Sequence, residues 1–124
     1  MLRSLLLVSA LAVTGCASSS TVAPETARSE IRTARSALSQ AEQADAQTHA
    51  PLALRTARQK LEDAERALAT GDTDTADRLA EQANLDAEVA EARARAVVAE
   101  LAVAEVRAAI DALRQEIERN RRAN

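Results

Sequence analysis

The sequence predicts an all-α fold: a long antiparallel helical hairpin, coiled-coil-like, whose first arm is broken at Pro51. Three observations carry this expectation. Alanine, the strongest helix former, supplies 31 of the 124 residues, against two glycines and two prolines. Apolar residues recur at alternating spacings of three and four in three successive segments, the pattern of helices packed along a seam. Residues 24–70 and 73–119 are equal stretches on either side of a turn at Thr70-Gly71-Asp72-Thr73, so two matched arms can lie side by side.

The elements follow in order. Met1-Leu2-Arg3 carries one positive charge, and an apolar run follows from Leu5 to Val13, broken by Ser9. That run is too short to span a bilayer, which takes about 20 residues, but it has the length of a signal-peptide core. It ends in Val13-Thr14-Gly15-Cys16, which resembles a bacterial lipobox: an aliphatic residue, two small residues, then cysteine. The resemblance implies a signal peptide over 1–15, a diacylglyceryl group on the Cys16 thiol, and acylation of its amine after cleavage. An anchor of three acyl chains would hold permanently, since each buried methylene contributes about 0.8 kcal/mol. Ala17 stands where an aspartate tends to retain such lipoproteins at the inner membrane, so the expected location is the outer membrane, facing the periplasm. Residues 16–23 read as the lipidated cysteine and a small polar tether.

A helical domain is expected over 24–120, with 121–124 as a tail. The first segment opens at Pro24, which suits a first helical position, and runs to about Thr48 with a seam of Ala27, Ile31, Ala34, Leu38 and Ala41. The second opens at Pro51, with Leu54, Ala57, Leu61, Ala64 and Leu68. Gly71 can stop it, and Asp72 or Thr73 can cap the third. The third runs from about Asp74 to Arg119, with Ala80, Ala83, Ala87, Ala90, Ala94, Val97, Leu101, Ala104 and Ala108.

The first two segments repeat each other. Residues 31–44 align with 54–67 at an offset of 23, with identities at Arg32/Arg55, Thr33/Thr56, Ala34/Ala57, Arg35/Arg58, Leu38/Leu61, Ala41/Ala64, Glu42/Glu65 and Ala44/Ala67. An offset of 23 is three heptads plus two, so the seam jumps where His49-Ala50-Pro51 breaks the helix. In the hairpin, these segments lie end to end against the third. The alternative is a three-helix bundle, with the second segment folded back on the first. The third would then overhang and expose Val103, Val106, Ile110, Leu113 and Ile117.

Composition excludes several function classes. There is no Phe, Tyr or Trp to stack on a base or sugar. A single cysteine and a single histidine, His49, offer no metal set and no nucleophile–base pair. No cofactor, metal or enzymatic activity is expected. Asp72, Asp74 and Asp77 do not make a calcium loop, because Ala76 and Asp77 stand where the pattern requires an acid or Asn and then Gly. They suit a helix N-terminus and, in the hairpin, form an acidic tip for a partner. Arg119, Arg121 and Arg122 end the third helix. In the hairpin they return to the lipidated end as a basic, membrane-facing cluster. With a net charge of −3, nucleic-acid binding is not expected.

His49-Ala50-Pro51-Leu52, then Ala57, Leu61 and Ala64, then Ala76-Asp77-Arg78-Leu79-Ala80-Glu81-Gln82-Ala83 and Asp86-Ala87, resemble the family of helical bacterial lipoprotein domains known as domain of unknown function 4398. The resemblance implies a periplasmic helical lipoprotein and no catalytic residue. Such domains often precede an OmpA-like peptidoglycan-binding module. None is expected within these 124 residues, and the resemblance alone does not imply peptidoglycan binding. Covalent cell-wall linkage is not expected, because the one lysine is Lys60, inside the second segment.

The function expected is a structural or adaptor lipoprotein that docks an envelope protein through helical faces or the acidic tip. The alternative is a self-assembling or directly membrane-interacting lipoprotein. It draws on a second apolar stripe of Ala99, Val103, Val106, Ile110, Leu113 and Ile117, either a continued core or a homo-oligomer face.

Overall fold

The computed structural model describes residues 22–123. The predicted signal peptide, lipobox and lipidation at Val13, Thr14, Gly15 and Cys16 lie outside the described residues. The described chain is all-α: α1 (Pro24–Gln43), a single turn α2 (Ala46–His49), α3 (Pro51–Ala69) and α4 (Thr73–Ala123).

Of the two arrangements the sequence leaves open, the chain takes the three-helix bundle. The end-to-end hairpin arm does not form, because α3 folds back beside α1. Arg35 of α1 donates to Glu65 of α3 at 2.7 Å, and Arg58 of α3 donates to Glu42 of α1 at 2.5 Å. The reversal spans Ala44 to Ala50, wider than the single break expected at Pro51. Asp45 takes the left-handed conformation (φ 58°), which aspartate tolerates better than most residues. Its carboxylate accepts from the Thr48 hydroxyl at 2.8 Å and steadies the α2 turn. Ala50 leaves the helical region (φ −142°, ψ 47°), and Pro51 then starts α3, where its missing N–H costs nothing.

The second turn matches expectation closely. Gly71 sits at φ 85°, the Asp72 N–H reaches the Ala67 carbonyl at 3.0 Å, and the Gly71 N–H reaches that of Leu68 at 3.1 Å. This is a Schellman ending. Asp72 then caps α4 by accepting from the Thr75 N–H at 3.1 Å.

The core is built from small residues. Of seventeen buried hydrophobics among the described residues, all but Ile31, Leu54 and Leu61 are alanine. Three helices meeting on alanine approach closely but bury little area per residue. Among the described residues, Leu54 is the one large side chain almost wholly enclosed, at 1% exposure. The α4 seam is buried as expected through Ala80, Ala83, Ala87, Ala90 and Ala94, and Ala76 joins it. It then loses its partners: Leu101 is 57% exposed, and residues 98–123 are exposed throughout.

Candidate docking surface

α1 and α4 run parallel, with α3 antiparallel between their ends. The clusters fix this: Ile31 shares one with Leu61 and Ala80, and Ala41 shares another with Leu54 and Ala90. The Val22 N–H donates to the Asp74 carboxylate at 2.6 Å, so the chain enters the bundle beside the start of α4.

This geometry moves both charged clusters from where the hairpin would put them. Asp72 and Asp74 lie at the entry end, not at a far tip. Hydrogen bonds from Thr75, with Arg78 nearby, hold the Asp72 carboxyl below its ordinary value of 3.8. Asp77 follows at the start of the second turn of α4, with its Oδ1 buried and without a hydrogen-bond partner. Arg119, Arg121 and Arg122 ride α4 to the opposite end, about 70 Å from Asp74 at 1.5 Å per residue. Arg119 pairs with Glu116, and Arg121 lies 3.5 Å from Glu118. The C-terminal end therefore does not return to the N-terminal end, because the reversal between α1 and α3 adds a second antiparallel crossing to the single one of a hairpin.

His49 lies in the reversal, its side chain 19% exposed and 3.6 Å from Asp45. Among the described residues, no group of three His, Cys, Asp or Glu side chains is placed to hold a metal ion. A shallow open groove between α1 and α3, lined by Arg28, Ile31, Arg35, Glu65 and Leu68, holds no nucleophile–base pair. No described helix is long and apolar enough to cross a membrane.

What stands out is α4 beyond the bundle. The reversal at Gln43, Ala44 and Asp45 reaches as far along α4 as Val98 and Ala102. Residues 99–123 then extend without a neighbouring helix, about 37 Å of rod. Val103 (48% exposed), Val106 (59%), Ile110 (42%), Leu113 (65%) and Ile117 (54%) line one side of it. Large aliphatic side chains left this open in a row form a contiguous exposed apolar stripe of a kind uncommon on a monomer surface. Beside them lie shallow apolar patches, one on Ala102, Val103, Val106 and Arg107.

The sequence pattern of a family described as a domain of unknown function, DUF4398, matches residues 29–106. No curated protein matches the chain. No solved structure matches it either.

Proposed function

The chain belongs to the DUF4398 family, and on that premise we propose that it is an outer-membrane lipoprotein facing the periplasm and acting as a structural or adaptor module without catalysis. The bundle is the base, and the exposed side of α4 docks an envelope protein. One observation carries the reading: a rigid extension with five large aliphatic side chains open to solvent in a row, rooted in a bundle that needs none of them.

The lipobox at Val13 to Cys16 supports the anchor. Cys16 precedes Val22 by six residues, so it lies within about 20 Å of the entry end. In an upright molecule, Asp72 and Asp74 stand nearest the membrane, and the arginines stand farthest into the periplasm. This favours the helical face over the acidic cluster as the docking surface.

Two experiments test the proposal. Cys16→Ser should abolish the acyl mass and release the protein from the membrane fraction; retention of both defeats the anchor. Photo-crosslinking residues at Val103 and Ile110 should trap protein in intact cells, whereas one at Asp74 should not. Empty crosslinks at Val103 and Ile110 defeat the docking role.

A further inference from the structure

The exposed stripe does not begin where the bundle ends. Traced back from Ile117, it passes through Leu113, Ile110, Val106, Val103, Ala99, Ala96, Ala92, Val89 and Leu85, with strictly alternating steps of four and three. All ten positions are apolar and all ten are exposed, Leu85 at 59% and Val89 at 43% among them. The bundle-facing alanines of α4 occupy a different side, roughly 150° away at 100° per residue. The same helix thus carries two heptad seams, one filled by α1 and α3 and one unfilled.

We infer that the unfilled seam is occupied by α4 of a second copy, in a parallel, in-register, two-stranded coiled coil over residues 85–121. This rests on the proposal that the outer face of α4 is the docking surface, and it names the partner.

Residue types along the seam favour two strands. The a positions are Val89, Ala96, Val103, Ile110 and Ile117, and the d positions are Leu85, Ala92, Ala99, Val106 and Leu113, with leucine at both ends of the d row. β-Branched a residues with leucine at d favour parallel dimers. The flanks specify direction. In a parallel pair, each g residue meets the e residue five positions later on the partner. Those pairs are Glu88 with Arg93, Arg95 with Glu100, and Glu116 with Arg121, with Ala102 and Ala109 opposite Arg107 and Arg114. Every charged pair within the seam is of opposite sign, and two-fold symmetry makes each twice. In the fully overlapped antiparallel register, Arg93 meets Arg107 and Glu88 meets Glu116. Arg95 lies 2.6 Å from Glu91 in its own helix, and Glu116 pairs with Arg119. The Glu116–Arg119 pair is exposed and weak enough to be exchanged or shared, and Arg95 is 72% exposed although Glu91 is only 15% exposed. A parallel dimer also puts both entry ends together, as two anchors in one membrane require.

The test is sedimentation equilibrium of the full chain carrying Cys16→Ser in mild non-ionic detergent, with helix content checked by circular dichroism. A reversible dimer is expected. Glu116→Arg and Arg121→Glu, both far from the bundle core, should each weaken it about tenfold through like-charge contacts. Mixed together, those two variants should form a heterodimer tighter than either homodimer. A monomer at all concentrations, a trimer, or association insensitive to these reversals overturns the inference. So does a monomer that sediments with anionic phospholipid vesicles. Crosslinks from Ile110 in intact cells separate the two proposals. Capture of a second copy supports both. Capture solely of a different protein overturns the dimer and leaves the docking role standing.

Discussion

Leu54→Ala should remove most of the stability of the bundle. Leu54 is 1% exposed and is enclosed by Ala41, Ala46, Ala50, Ala90 and Ala94. Truncation takes three carbons out of an apolar site, about 2.4 kcal/mol at roughly 0.8 per carbon. A cavity then adds to this, and such substitutions run from about 2.7 to 5.0 kcal/mol according to how far the site collapses. Here collapse is poor, because the buried neighbours are methyl groups with no rotamers to swing inward, and Leu38 at the rim is the one larger side chain packed against them. The cost should be about 4 kcal/mol. A small domain has about 5–15 kcal/mol in total, and a core made mostly of alanine belongs at the low end. Leu52 supplies the control: the same residue on the same helix, 72% exposed. Leu52→Ala should stay within about 0.5 kcal/mol of the parent. Urea unfolding followed by circular dichroism measures both, at one fixed protein concentration because self-association adds stability. Equal losses at the two positions would refute the enclosed site at Leu54.

Gly71→Ala meets no neighbouring atom within 4 Å, so its cost is the left-handed backbone alone, about 1 kcal/mol by the same unfolding assay. Asp72 has its carboxyl lowered by Thr75, so its ionised cap stabilises the fold above the ordinary value of 3.8, and that contribution is lost as pH falls through the lowered folded value. The Tm advantage of the parent over Asp72→Ala should therefore shrink on acidification below 3.8. A double-mutant cycle on Glu42→Ala and Arg58→Ala should give a coupling of about 0.5 kcal/mol, since both side chains are over 40% exposed. Zero coupling there, matched by zero for Arg35 with Glu65, would argue against the α1–α3 pairing.

Much of this fold is legible in the sequence because alanine spacing reports helix contact directly. The α4 seam from Ala80 to Ala94 and the Gly71 turn are where spacing and turn chemistry place them. The α1 seam is legible too, except that Ala37 is buried and Leu38 lies at the rim. What equal arm lengths obscure is the direction of α3. A two-residue jump in the seam fits a kink or a full reversal, and the decision rests on Asp45 adopting a left-handed backbone, one residue among many polar ones. The repeat held the missing signal. Arg35 and Glu42 recur as Arg58 and Glu65, and antiparallel copies bring each arginine to the other copy's glutamate. The direction of α3 also governs the site, because it sets which end of α4 lies beside Val22. The open stripe beyond Ala99 is legible from the sequence, whereas its extension back to Leu85 emerges only once the bundle-facing side of α4 is fixed.

The reciprocal pairs between α1 and α3 have a further meaning. Arg35 with Glu65 and Arg58 with Glu42 are one contact made twice, related by an approximate two-fold axis between the helices. A surface of this kind is complementary to itself. The chain therefore specifies both sides of its first helix pair with one short message written twice, and a compensating change in one copy has a ready template 23 residues away in the other.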